Sequence, residues 1–541
     1  MEQQPMKAPF YPIIYVRGYA MSRGEIDETT ADPFCGFNLG STVMRAVATA
    51  GAPPRKFVFE SPVIRLASQF GYGDVYEDGY DVLDPNWLAQ KNNKLAARSI
   101  VIYRYYDPAS TLLGVGKTPS MEQFAQGLSE LILHLRDLAF ANPANELAKK
   151  EDFRCHLVAH SMGGLVCRTF LQNPACGSPE ARAAVDKFFT YATPHNGIDM
   201  VGVNVPSLPV FSLPFDIENF NRDKRMREYL RLPKLPKGYD KVDLLPESAL
   251  PSSRVFCMVG TNRSDYEVAA GLSRTFVGHG SDGLVRIENA TLHGLNADGT
   301  LGEECAKAFA YRAHSGFFGI VNSEESFQNL VRFLFGNVRV DIWLDIDELR
   351  LPKEVLDAAK GDPVNALYQI ELLASPRSKP WYLSRRTAEE DSAACLTQAE
   401  WKPGTQLYLS SVFLAEFGKV DPELPGLAYS LTLGVRVPDY EIDKRFWPNS
   451  HYEGSYLYRD TVIIQLERPT DGSDQWTIRY AWQNTGMNTA TIPLQANELD
   501  GSGIQVLLPI DSDVHGNPDA AAIKGQVRLM VSTWNPEGTW P

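Results

Sequence analysis

CHLVAHSMGGLVCRTF, Cys155–Phe170, joins two patterns of unlike period. Cys155 to His160 is a short, nearly continuous apolar run, the kind that fills a parallel strand buried on both faces. After it, apolar residues return at helical spacing with Leu165, Val166 and Phe170. Between the two, Ser161, Met162 and Gly163 must turn the chain sharply. A serine at such a strand-to-helix turn takes a strained backbone that exposes its hydroxyl, and small flanking residues leave room for the fold-back. The pattern here, Ala159-His160-Ser161-Met162-Gly163, is an A-x-S-x-G form of that elbow. The first turn of the next helix sets unpaired N–H groups beside the hydroxyl, where they stabilise negative charge.

Working outward, strand-like runs at Pro12–Val16, Ser99–Tyr106, Lys187–Thr193 and Arg254–Thr261 alternate with helical patterns. The clearest helix opens at Ser120, a plausible cap, and runs through SMEQFAQGLSELILHLRDLAFA. Apolar strands separated by helices predict a mostly parallel sheet covered on both faces, with a site at the carboxyl ends of its strands. From Asn337 the pattern changes to strands punctuated by turns, such as Asp471-Gly472 and Asp500-Gly501. Runs at Val338–Leu344, Tyr368–Ala374, Gln406–Phe417, Tyr429–Val437, Asp460–Glu467, Gln475–Gln483, Ile504–Ile510 and Gln526–Trp534 predict an antiparallel β-sandwich. The expected division is therefore an α/β domain over 1–336 and a β-sandwich accessory domain over 337–541.

At 541 residues, 52 basic against 66 acidic side chains leave a net charge of −14, which argues against nucleic acid as the main partner. No basic, apolar, small-residue leader opens the chain, and no run is apolar and long enough to span a bilayer. The expectation is a cytoplasmic protein, or one exported without a cleavable signal peptide. Seven cysteines without any C-x-x-C pair argue against a disulfide framework or a zinc site.

A serine hydroxyl needs a base, best supplied by a histidine that a carboxylate holds in place. Strand–elbow–helix proteins of this kind place Ser, then Asp or Glu, then His along the chain. Four histidines follow within the α/β part. His314 stands in a loop just before its last helix, where a base can reach back over the sheet. His195, at the end of the strand after the elbow, is expected to shape the cleft rim, and His279 and His293 read as surface residues of polar loops. Asp282 in GHGSDGLVRIE is the carboxylate candidate and Asp265 its rival. An oxyanion hole calls for two backbone N–H donors. Met162, next after the serine, supplies one, and Tyr19, after the strand ending in Arg17-Gly18, is the candidate for the other.

With these segments in order, the chain resembles the α/β-hydrolase superfamily, specifically its bacterial lipase-like and esterase-like members. YATPHNGID resembles the segment that follows the elbow in such lipases, SDGLV their acid loop, and the His314 region with GIVNS their histidine loop. The resemblance spans about residues 10–336. It implies Ser161 as nucleophile, Asp282 as orienting acid, His314 as general base, and Tyr19 and Met162 as oxyanion donors. Two departures stand out: Ala159 replaces the first elbow glycine, and Arg17-Gly18 replaces the usual His-Gly. The family needs no organic cofactor. Some of its lipases hold a structural calcium, but no ligand set is visible in this sequence. DSDVHGNPD (Asp511–Asp519) is similar to a calcium loop, yet it lacks the bidentate Glu and reads better as a polar hairpin turn.

The expected function is serine-dependent hydrolysis of hydrophobic, lipid-like carboxylic esters. A Pro-rich apolar insertion over about 196–253 suits a cap or lid, and transient contact with a membrane or lipid surface goes with it. The alternatives are a phospholipase or thioesterase on the same triad, including an exported antibacterial lipase effector, and a catalytically silent hydrolase fold that binds lipid.

Overall fold

In a computed structural model the described residues are 4–18, 41–45, 55–59, 62–77, 80–81, 94–103, 105, 119–200, 203–204, 217–232, 235–265, 280–316, 319–419, 421–423, 425–444, 450–467, 476–483, 490–493, 503–513 and 516–535. The chain forms two units. One comprises Met1–Lys307 with Arg312–Leu330, the other Ala308–Tyr311 with Val331–Pro541.

A seven-stranded sheet is formed by β1 (Ile13–Val16), β2 (Gly73–Asp74), β3 (Ser99–Tyr103), β4 (Cys155–His160), β5 (Val185–Tyr191), β6 (Val255–Gly260) and β7 (Ala306–Ala310), of which β1 to β6 and the first two residues of β7 belong to the first unit. They lie in the order β7-β6-β5-β4-β1-β3-β2. The pairings β1 with β3, β1 with β4, β2 with β3, β4 with β5 and β5 with β6 are parallel. The helices that matter for the site are α1 (Pro62–Phe70), α2 (Met121–Phe140), α3 (Met162–Gln172) and α4 (Glu324–Phe335). This is the α/β-hydrolase arrangement expected from the sequence: a mostly parallel sheet with an elbow between its central strand and a helix.

Side chains alternate across the sheet. Ile14, Val16, Leu157, Ala159 and Val101 share one apolar core with Phe124, Leu128, Ile132 and Leu135 of α2 and Leu165, Val166 and Phe170 of α3. Burying each of the Val, Ile, Leu and Phe side chains among them is worth about 2 kcal/mol. The cap on α2 is the one its sequence implies. The Ser120 side chain accepts from Gln123 N, and the Gln123 side chain accepts from Ser120 N in return. Every residue of α3 is buried, which fixes the helix that follows the elbow.

The second unit is a β-sandwich. One sheet orders strands 405–414, 338–350, 522–533 and 503–511, and the other is built around 364–376, 427–436 and 456–467. Ile342, Leu344 and Leu529 of the first sheet share a core with Leu372, Leu431 and Ile464 of the second. The Asp511–Asp519 stretch lies in a hairpin connection. Arg350 donates there to Asp513 Oδ2 at 2.8 Å, to the Asn517 carbonyl at 3.0 Å and to the Ala520 carbonyl at 3.0 Å, so a guanidinium organises the turn. Among the described residues no group of three or more His, Cys, Asp or Glu is placed to hold a metal ion, and no helix is long and apolar enough to cross a membrane.

Candidate active site

Ser161 directly follows the central strand with φ 51° and ψ −127°, a backbone that L-residues rarely adopt. The turn closes tightly. A Cβ on Gly163 would collide with the Val16 and Arg17 carbonyl oxygens, and one on Gly18 would come to 2.8 Å from Ser161 Cβ. Glycine is therefore the residue that lets β1, the elbow and α3 approach each other. Ser161 N–H donates to the Tyr191 carbonyl at 2.9 Å, pinning the elbow to the neighbouring strand.

Three side chains then meet across more than 150 positions of sequence. His314 Nε2 lies 2.9 Å from Ser161 Oγ, and its Nδ1 lies 2.9 Å from Asp282 Oδ2. All three are almost fully buried. The other oxygen of Asp282 accepts from Leu284 N at 3.0 Å and Val285 N at 2.8 Å, which fixes the carboxylate plane. His314 N–H donates to the Asp282 carbonyl at 3.0 Å, so main chain as well as side chain joins the pair. Gly260 closes β6 beneath them, where a Cβ would press to 2.8 Å from Asp282 Cβ. It is Asp282 that reaches His314. The rival Asp265 instead accepts from Asn262 Nδ2 at 2.5 Å.

Met162 is the first helical residue of α3, so its N–H lacks an intrahelical acceptor. Tyr19, the second expected donor, and His279 lie outside the described residues. The carbonyl of the adjoining Gly18 is described: Tyr105 Oη sits 3.2 Å from it and donates to the Arg17 carbonyl at 2.6 Å.

Two expectations need correction. His195 does not line a rim. It is fully buried, its Nε2 is 3.2 Å from Thr190 Oγ1, and burial with Arg168 nearby holds its imidazole well below the usual range. His293, expected on the surface of a loop, is half-buried. It begins the strand His293–Leu295, with Nε2 3.3 Å from Glu304 Oε1 and Nδ1 3.8 Å from Asp243 Oδ2. His195 is thus an interior residue, while His293 is only partly covered by its acidic neighbours.

Other residues of the site carried no signal of their own. His160, before the serine, turns Nε2 toward the His314 carbonyl at 2.9 Å. Its position at the carboxyl end of a central strand was the available clue. Arg168 of α3 is fully buried and spends its donors on three carbonyls, His195, Val242 and Leu244, each at 2.8 Å. Desolvation lowers its pKa to about 10.

No protein-family model matches the chain, and a search of curated proteins finds no match. Among solved structures it is similar to the lipase BlEst2 of Bacillus licheniformis in its mature form, at 13% identity and TM-score 0.29, covering 61% of this chain and 94% of that one. It is also similar to phospholipase PlaB of Legionella pneumophila, at 13% identity and TM-score 0.30, covering 78% and 86%. A gene product of Listeria innocua matches at 12% identity and TM-score 0.26, covering 60% and 93%. Likenesses this low carry no inference about activity, and the chemistry of the site rests on its own geometry.

Proposed function

We propose that the first unit is a serine hydrolase of carboxylic esters, with hydrophobic, lipid-like esters as its substrates. The observation that carries this reading is the unbroken line from Ser161 Oγ through His314 to Asp282, with 2.9 Å at both junctions. His314 Nε2 takes the hydroxyl proton as Ser161 Oγ attacks the ester carbonyl, and the tetrahedral oxyanion forms beside the Met162 N–H. Collapse expels the alcohol, which receives the proton from His314. Water then attacks the acyl-enzyme by the same route and releases the acid. Asp282 keeps the proton of neutral His314 on Nδ1 and stabilises the imidazolium without itself being protonated. The preference for hydrophobic acyl groups rests on the apolar, Pro-rich insertion over about 196–253.

The test is hydrolysis of p-nitrophenyl esters from acetate to palmitate by wild type and Ser161→Ala, together with labelling by a fluorophosphonate probe. Activity and labelling that both vanish in Ser161→Ala are expected, with rates rising beyond the shortest chains. A wild type that neither hydrolyses any ester nor takes the probe would return the fold to the class of silent binding modules.

A further inference from the structure

His160 is the last residue of β4 and stands one peptide from Ser161. Its ring packs against the ring of His314, with centroids 5.0 Å apart and planes at 42°. Its Nε2 faces the main-chain carbonyl of His314 at 2.9 Å. Desolvation, helped by His314 and Arg17, pushes the imidazole down to about 3, so the ring is neutral at ordinary pH and carries one proton. A carbonyl oxygen only accepts, which places that proton on Nε2 and leaves Nδ1 bare. On the bare side lies Gly18, where a Cβ would come to 2.9 Å from Nδ1.

The consequence concerns how His314 is held. Its N–H donates to the Asp282 carbonyl, and its C=O accepts from His160. Both main-chain groups are thus tied to neighbours within the site before the side chain begins. Below the loop, Arg312 grips Glu325 with bonds of 2.8 to 3.1 Å, which anchors the segment but does not aim the ring. His160 does more than anchor. It belongs to the same strand end as Ser161, so its donor ties the base to the backbone that carries the hydroxyl.

We infer that His160 is a positioning residue, whose Nε2–H bond to the His314 carbonyl holds the general base in register with the Ser161 hydroxyl. The inference rests on reading Ser161 and His314 as nucleophile and base. It assigns His160 no contact with substrate.

The test compares His160→Gln with His160→Met. The two replacements have nearly the same length and volume, but only the amide keeps a donor where Nε2 stood. Steady-state rates on a short soluble ester, fluorophosphonate labelling rates and melting temperatures are measured for both. The Met variant should lose between about tenfold and a hundredfold in kcat, the range expected when a catalytic group is slightly misplaced. Its KM should stay within about twofold, because ground-state binding is untouched. Labelling should slow by the same factor as kcat, and the Gln variant should recover most of both. The far-downfield proton resonance of the His314–Asp282 pair should persist in Gln and broaden or shift in Met, a readout available even when one variant melts early. Met and Gln variants equal in rate and in this resonance overturn the inference while leaving the triad reading intact. A wild type that the probe does not label overturns both.

Discussion

Asp282→Asn turns a single oxygen into an amide nitrogen, and the surroundings dictate which way the amide faces. Asp282 Oδ1 accepts from the Leu284 and Val285 N–H groups. An amide NH2 placed there would set donors against donors, so the asparagine keeps its oxygen on that side and aims its NH2 at His314 Nδ1. The imidazole must then accept at Nδ1 and carry its proton on Nε2, facing Ser161 Oγ. In that tautomer Nε2 cannot take the hydroxyl proton. The comparable substitution in a Ser-His-Asp triad costs about 10⁴ in kcat, which at 1.36 kcal/mol per tenfold is about 5.4 kcal/mol. Escape by flipping the amide leaves two backbone N–H groups unsatisfied, at about 1–3 kcal/mol each. Even the smallest such total, about 2 kcal/mol, keeps the productive form at roughly one part in 30. The expected loss in kcat therefore lies between about 30-fold and 10⁴-fold, read on a soluble p-nitrophenyl ester with labelling as a second measure. An Asp282→Asn enzyme within about threefold of wild type would refute the assignment of Asp282, and with it the tautomer reasoning.

Other consequences are open to direct measurement. Ser161→Gly and Ser161→Ala should both be inactive, but Gly relieves the φ 51°, ψ −127° backbone and should be the more stable by about 1 kcal/mol in denaturant titration; equal midpoints would show the elbow to be unstrained. Gly163→Ala drives a methyl into two backbone oxygens that cannot rotate aside, and should cost at least about 2 kcal/mol and abolish labelling; a normal melting temperature would contradict the tight elbow. Acid should destabilise the first unit before its carboxylates titrate. Desolvation, helped by Lys187 and opposed by Asp186 and the Pro9 carbonyl, pushes the His156 imidazole down to about 4, and desolvation with Arg168 nearby holds His195 well below the usual value. A histidine with a depressed folded pKa contributes stability that is fully present above its unfolded value near 6.5 and is lost as pH falls toward the folded value. For His156 that is about 3 kcal/mol between pH 6.5 and pH 4. Melting of Ser161→Ala from pH 7 to pH 4.5 should show the decline, and a flat profile would contradict it.

What the sequence disclosed and what it withheld follow from the range of the forces involved. Cys155–His160 and the Ser120 cap are local signals, and both elements begin where those signals lie. The strand Ala306–Ala310 gave none. Three alanines and a lysine have weak β preference that the single phenylalanine does not offset, and pairing within the sheet supplies what propensity lacks. In the sandwich the long strands were legible from alternation, while the short strands at 384–386, 394–397 and 439–442 form by docking on the strand 364–376. Within the site, residue types and chain order pointed to Ser161, Asp282 and His314. The buried position of His195 and the half-buried one of His293 were not legible, because Arg168 and Asp243, which lie against them, belong to other segments of the chain. His160 was hidden for a related reason: its partner is a carbonyl 154 positions away.

The buried guanidinium of Arg168 has a meaning beyond packing. It holds the His195 carbonyl on one side and the Val242 and Leu244 carbonyls on the other, and Asn196 Oδ1 accepts from Val242 N directly. The two feet of the insertion are thus sewn together at a helix that belongs to the elbow. Once the ends of a loop are fixed, doubling its length costs only about 0.6 kcal/mol in closure entropy. Residues 197–241 can therefore lengthen, shorten or change composition over generations while the nucleophile stays where it is. That latitude does not extend to Phe220, Met226, Tyr229 and Leu230, which are buried in the core, with the Tyr229 and Leu230 carbonyls accepting from Asn173 and Gln172. One arginine thus marks the seam between a helix whose every residue is buried and a segment whose length costs little to change.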